Sequence, residues 1–368
     1  MTPLKFRSSP CYFFAALLLL QFNLAAHAQA PSTARNESVD VTTPPVTFNF
    51  VTTPDILSVN SLSADSENDI WATSVINSVS LHFDGNTWKA IPMAKTSKIA
   101  KVEVISTTNV WAVGQQTNAK LSQIQHFNGT TWTVVSSPHV AAGETLNSLK
   151  AVSASNIFAV GATRDNLNNQ VPFVEHFDGS AWKVVQVPHV SGGELFDIAV
   201  VSSSDIWAVG ATSSAAVTLH FNGQQWRRFA APVAALFGVT AISTNNVWAV
   251  GDTLPTGAIV EHWDGNSWKL VTSPNTGNVS NLVSVSAISA TDIWATGCSL
   301  CGDVGGNLPA LVEHWDGTSW TVNPAPTEFA GVAGQSVLTF PNGDIFVGGV
   351  AQTQTGVTSV IMKGVEGQ

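Results

Sequence analysis

Asn156-Ile-Phe-Ala-Val-Gly161, followed by His176-Phe-Asp-Gly-Ser-Ala-Trp182, is one copy of a two-part unit that decides the fold. The first part returns as DIWATS at Trp71, NVWAVG at Trp111, DIWAVG at Trp207, NVWAVG at Trp248, DIWATG at Trp294 and DIFVGG at Phe346. With Phe158 this makes seven copies, spaced 40, 47, 49, 41, 46 and 52 residues apart. The second part follows the first six copies and opens at His82, His126, His176, His220, His262 and His314. Each has a Phe or Trp, then Asp or Asn, Gly, two variable residues and Trp.

Each unit reads as four strands, which in the third copy are Leu149–Ala154, Asn156–Gly161, Val174–Phe177 and Ala181–Gln186. The second is apolar on both faces, as a strand covered on both sides must be. The Asp/Asn-Gly pair between strands three and four is a tight-turn signal. Four short strands per 40–52 residues is the pattern of propeller blades. The seventh unit has a third strand near Ser359–Lys363 but no Gly turn and no Trp. Phe48-Asn-Phe-Val-Thr-Thr-Pro54 matches Trp268-Lys-Leu-Val-Thr-Ser-Pro274, the fourth strand of the fifth unit, position by position. The sequence therefore predicts an all-β, seven-bladed β-propeller over 46–363. Its blades are four-stranded and antiparallel, and the last (335–363 plus 46–54) is closed by the N-terminal strand. All thirteen Trp belong to the repeat. Each can bury ~150–250 Å², roughly 4–6 kcal/mol of gross transfer energy, between blades.

The turn after the third strand resembles the Asp-box, or BNR, repeat of sialidase-like propellers. The WAVG strand resembles repeats of photosystem-assembly-factor-like propellers and of exported bacterial propellers. The turn departs from the Asp-box pattern in having His where Ser or Thr is usual, and one residue fewer before the Gly. WD40 and kelch signatures are missing, although Gly348-Gly349 imitates the latter once. These resemblances imply the fold and leave function open.

Residues 1–30 read as a cleavable secretory signal. Lys5 and Arg7 precede an apolar Phe13–Leu24, and Ala26, Ala28 and Ala30 follow. Cys11 lies before the apolar stretch, out of place for lipid attachment. Residues 31–45 form a Ser/Thr/Pro-rich linker and 364–368 a tail. The protein is expected to be secreted or periplasmic, monomeric and without a transmembrane segment once mature. Without the leader, thirteen basic residues face twenty-five acidic ones, a net charge near −12. Such a chain lacks the cationic footprint of a nucleic-acid binder.

Links between strands two and three, and between successive blades, vary in length and open on one face, where binding is expected. Two of them repeat a motif: His139-Val-Ala-Ala-Gly-Glu144 and His189-Val-Ser-Gly-Gly-Glu194. His139, Glu144, His189 and Glu194, joined by Arg164 and Asp165, form the candidate ligand site. Imidazole and carboxylate together suit a divalent metal or an acid–base pair; no other cofactor is expected. The six motif His lie around the ring and are expected to be structural. Cys298 and Cys301 are expected to form a local disulfide in an exported protein. A redox motif would need an α/β setting. A zinc site would need more ligands than nearby Asp303 supplies.

Function is expected to be a non-enzymatic binding scaffold for a protein partner. One alternative is glycan binding, with Phe237 or Phe329 as platforms because the Trp are committed. The other is a carboxylate-dependent glycoside hydrolase or lyase using Glu144 and Glu194. Sialidase and galactose-oxidase chemistry are disfavoured. The one Tyr is Tyr12 in the leader, and Arg is limited to Arg35, Arg164, Arg227 and Arg228 after it.

Overall fold

The computed structural model describes residues 46–94, 97–141, 143–232, 235–253, 257–274, 280–299, 309–353 and 356–365. The leader and linker lie outside them. Among the described residues every regular element is a strand. Among those same residues no helix is long and apolar enough to cross a membrane.

Each repeat is an antiparallel meander. In repeat three the strands are Thr145–Ser153, Asn156–Arg164, Gln170–Phe177 and Trp182–Val184. The first three extend beyond the sequence-based bounds toward the variable-loop face, and the fourth is shorter. Short outer strands carrying Lys89, Lys183 and Lys269 expose little edge for stray pairing. The N-terminal strand Thr47–Phe50 pairs antiparallel with Gly356–Val365, giving the last repeat its outer strand.

The expectation of seven separate blades is corrected. Five four-stranded sheets stand as blades, and repeats four and five form one curled eight-stranded sheet. Each of these two repeats keeps its own four-strand pairing, and a single pair, Ala211 with Ala235, joins them. The cause is local. In repeat four, strands two and three meet through a tight turn in which Thr212 N donates to Ala215 O at 2.7 Å. Their ladder ends at Gly210–Val217. The outer edge of Ala211 is thus open, and Ala235, at the start of the next repeat, takes it. In repeat three the same ladder runs on to Arg164–Gln170 and leaves no such opening.

Packing between repeats follows one rule around the ring. The strand-two aromatic of one repeat meets the strand-four aromatic of the next. Trp111 lies 5.7 Å from Trp182, Trp207 5.4 Å from Trp268 and Trp248 5.9 Å from Trp320. Phe48 lies 6.0 Å from Trp294, edge to face. The N-terminal strand therefore supplies Phe48 where other repeats supply Trp.

The Gly that ends WAVG has a steric reason. In every repeat but the first, strand one bulges opposite it, as between Leu146 and Ser148. A Cβ on Gly161 would sit 2.0 Å from Thr145 O, and one on Gly210 would sit 1.9 Å from Glu194 O. Repeat one has Ser74 at this position and no bulge there. The Gly of the Asp/Asn-Gly turn is left-handed, with φ of +90° at Gly179.

Inner strands are stitched by side chains that accept the next repeat's backbone N–H. Ser61 accepts Val102 N at 3.1 Å, Ser284 accepts Val337 N at 3.1 Å and Ser336 accepts Leu62 N at 3.0 Å. Longer acceptors, Glu103 and Asp197, do the same for Ala151 N and Val239 N.

Candidate functional site

The motif His are structural parts of their own repeats. Their Nε2 atoms lie 2.7–3.0 Å from the Oδ1 of Asp69, Asn109, Asn156, Asp205, Asn246 and Asp292. Each of these residues opens strand two. The rings lie 4.2–4.4 Å from Trp71, Trp111, Phe158, Trp207, Trp248 and Trp294. In the last repeat Lys363 stands in register with Phe346 and takes the His role. Its Nζ is 2.8 Å from Asp344 and 5.4 Å from the Phe346 ring centroid.

The duplicated His/Glu links do not pool their ligands. Glu144 is fully buried. Its Oε2 lies 3.0 Å from His139 Nδ1 and accepts Ser122 Oγ at 3.3 Å. Its Oε1 accepts Val140 N and Ala141 N. Glu144 thus pins its own link. The second copy is wired differently. Glu194 accepts Asn147 Nδ2 at 2.8 Å and Gln170 Nε2 at 2.7 Å, and burial raises its pKa. His189 instead meets Asp165 at 3.1 Å. Asp165 also accepts Leu167 N and Asn169 N, ordering the loop that carries Arg164. Burial works to raise the Asp165 pKa, but its hydrogen bonds from Asn169, His189 and Leu167 outweigh it and the net shift is downward. Among the described residues no group of three or more His, Cys, Asp or Glu is placed to hold a metal ion.

Four loops of one face adjoin around repeat three. Gly143 N donates to Lys120 O at 2.9 Å, and a Cβ on Gly143 would lie 3.0 Å from Arg164 Nε. Gly192 N donates to Gln170 O at 2.7 Å. Lys120 and Asn168 hold positive φ, 51° and 64°, an uncommon conformation for residues with side chains. What these loops turn outward is mixed, with Asn118, Asn166, Asn168 and His189 exposed beside apolar and basic residues. Leu167 is 82% exposed and Val140 53%, beside the exposed Arg164 and Lys120.

Of the expected aromatic platforms one is buried and the other half-buried. Phe237 is buried against Phe196, ring centroids 5.6 Å apart, and Phe329 packs on Phe50 at 4.8 Å. The bulge in strand one turns Phe237 inward, which strand alternation did not reveal. A separate cleft of about 380 Å³ lies between repeats three and four, lined by Val185, Pro188, Phe221, Gln225 and Trp226. Cys298 ends the strand Asp292–Cys298, but its expected partner Cys301, with Asp303, falls on 300–308, outside the described residues.

Sequence reading also missed the charges on the inner strands. Lys101 reaches Asp197 at 3.2 Å, and Lys150 reaches Glu103 at 2.9 Å. Burial works against the Lys150 ammonium, but Glu103 and then Asp197 outweigh it and raise its pKa. Lys101 and Asp197 occupy one position of strand one, opposite Val113 and Val209, and Glu103 and Lys150 another, opposite Trp111 and Phe158, but the residue type at each changes from repeat to repeat.

No protein-family model and no curated protein matches the chain. Solved structures do. A structure of YCF48 bound to D1 peptide is 14% identical with a TM-score of 0.60, covering 88% of this chain and 99% of that one. The WD40 repeats of RRP9 are 11% identical with a TM-score of 0.62, covering 89% and 100%. A catalytically inactive variant of virginiamycin B lyase from Staphylococcus aureus, with quinupristin, is 11% identical with a TM-score of 0.58, covering 86% and 99%. At such identities the likeness shows the fold, and the chain is a β-propeller. The Asp-box resemblance finds no support at the level of a sequence family.

Proposed function

We propose that this propeller is a non-enzymatic scaffold that docks a protein partner on the loop face of repeat three. One observation carries the reading. The carboxylates of that face, Glu144 and Asp165, are turned inward to hold its loops, while Leu167 and Val140 stay exposed. Single exposed apolar residues are common, but two of them on loops that brace one another favour contact with another protein. A propeller of the same fold carries a bound peptide, which supports the reading by likeness. The proposal includes export, which rests on the leader-like residues 1–30 alone.

The glycan reading is weakened with Phe237 buried and Phe329 half-buried against Phe50. A Glu144/Glu194 catalytic pair is disfavoured because Glu144 is sealed and Glu194 is tied to Asn147 and Gln170. The test is a panel of polysaccharides and glycans offered to the purified mature chain, with and without EDTA. No saturable binding is expected. Saturable binding of any glycan would overturn the protein-partner reading, and EDTA sensitivity would point to a metal.

A further inference from the structure

The seam between repeats two and three holds a second carboxyl that the loop wiring does not use. Glu175 lies on the third strand of repeat three, between Phe173 and Phe177. It is fully buried, and neither carboxyl oxygen has a hydrogen-bond partner. Phe177 meets Trp111 of repeat two at 5.0 Å, so strand alternation turns Glu175 toward repeat two. The groups it faces are countable. From the third strand of repeat two (Ser122–Phe127) come Ser122 and His126, on the side of Trp111. From the link comes Glu144, bonded to Ser122 Oγ and paired with His139. The second strand of repeat two adds Trp111 and Val113, the inner strands of repeat three Leu149, Ile157 and Ala159, and the outer strand Trp182, all uncharged. Lys183 points the other way, to Asp178. Arg164 lies at the outer side of Gly143. Among the described residues no cation pairs with Glu175.

Repeats one and four carry Leu81 and Leu219 at the same position, but two repeats with polar residues there show what such a residue can do. In repeat two it is Gln125, fully buried, which accepts Ala94 N at 2.9 Å and donates to Ser97 Oγ at 3.0 Å. In repeat six it is Glu313, which accepts Ser273 Oγ at 2.7 Å and has its other oxygen unpartnered. In both cases the residue reaches across the seam and fastens the link that enters its repeat. An amide does this at any pH. A carboxyl does it in one protonation state.

We propose that Glu175 and Glu144 form a proton-operated latch beneath the binding loops. With Glu175 neutral, the link His139–Glu144 is held closed; with Glu175 ionised, two anions share a dry seam and the link is released. The latch deepens the protein-partner reading by assigning regulation to the same face, yet it can fail without that reading failing. Burial, and then the Glu144 charge, push the Glu175 carboxyl up to about 8, so the change falls near neutral to mildly alkaline pH.

The amides of Val140 and Ala141 bond Glu144 directly and therefore report the latch without any partner. Hydrogen exchange of the full mature chain, corrected for intrinsic rates, would be followed from about pH 6 to about pH 9. Their protection should fall about tenfold or more over that range, while the link 189–194 keeps its protection. Glu175→Gln should stay protected throughout. Wild-type protection that does not change, or that falls equally in both links, would overturn the latch. So would a Glu175→Gln chain that follows the wild-type curve. Should that variant not fold, the wild-type comparison of the two links decides alone. Protection that EDTA removes at about pH 6 would mean a cation, not a proton, holds the pair, and would also overturn it. None of these outcomes bears on whether a partner binds, which is read separately.

Discussion

Lys101 Nζ lies 3.2 Å from Asp197 Oδ1, although 96 residues separate them. Lys101 is on the innermost strand of repeat two and Asp197 on that of repeat four. The pair passes in front of repeat three, whose Ser148 Oγ donates to the same Oδ1 at 2.7 Å. The other oxygen accepts Val239 N of repeat five at 3.1 Å. One carboxylate therefore ties four consecutive repeats at the axis of the ring.

Asp197→Ala should accordingly destabilise the chain by about 3–5 kcal/mol, as expected when a mostly buried charge pair loses one partner. Lys101→Ala, which leaves the other bonds of Asp197 in place, should cost less. Urea unfolding followed by Trp fluorescence checks both. Equal small effects would show that the axial network contributes little.

Phe48→Ala removes the edge-to-face contact with Trp294 and opens the last seam. A loss of about 3–5 kcal/mol is expected for a buried Phe. Deleting Phe48–Pro54 also strips the outer strand from Gly356–Val365, and the product should aggregate or lose its cooperative transition. A deletion as stable as its parent would contradict ring closure by the N-terminal strand.

Gly161→Ala should be among the most damaging small changes. The new Cβ would meet Thr145 O at 2.0 Å, backbone against backbone. Ser74→Gly in repeat one, where no bulge crowds the site, should cost only about 1–3 kcal/mol, through the lost bonds of its buried hydroxyl to Ser58 Oγ and Ile76 N. Comparable losses from the two would refute the steric reading of WAVG.

The ring has pH limits on both sides. His126, His176 and His262 bond Asn109, Asn156 and Asn246, and burial holds their pKa below the usual imidazole value. Because the folded state binds these protons more weakly, stability falls as pH drops below the unfolded value of about 6.5. Asn→Asp at all three positions supplies a charge partner and should flatten that acid slope.

On the alkaline side burial raises Glu313 to about 7, with the Ser273 hydrogen bond opposing. Here the folded state holds the proton more tightly. Stability is full below the unfolded value of about 4.5 and is lost as pH rises through about 7. Glu313→Gln should remove its share of that loss. Unfolding midpoints across pH, compared between wild type and variants, test both slopes; unchanged slopes would contradict the assignments.

The repeat was legible because the same residues recur at the same strand positions: Trp111 and Trp182 mark a seam before any coordinates are known. The sheet count was not, because joining repeats four and five depends on how far one hairpin ladder runs past Gly210. The candidate loops were legible as a face but not as a site. His139-to-Glu144 and His189-to-Glu194 read alike, yet Glu144 folds back on its own link while Glu194 meets Asn147 and Gln170 of repeat three. Glu175 and Glu313 did leave a signal: each precedes a motif His, so strand alternation turns it to the opposite, buried face. The axial charges had none, since Lys101 and Asp197 share one repeat position, and Glu103 and Lys150 another, where other repeats carry different residue types.

The docking face is tested most directly by a photo-crosslinking residue placed at Leu167, with one at Asn86 on the opposite, Asn/Asp-Gly-turn face as control, exposed to the native exported fraction. The expected result is a discrete protein adduct from position 167 that the control lacks and that Val140→Asp abolishes, with the purified partner then binding wild type and not the variant. Adducts that form equally from both positions, or none from position 167, would contradict a partner site on the loop face of repeat three.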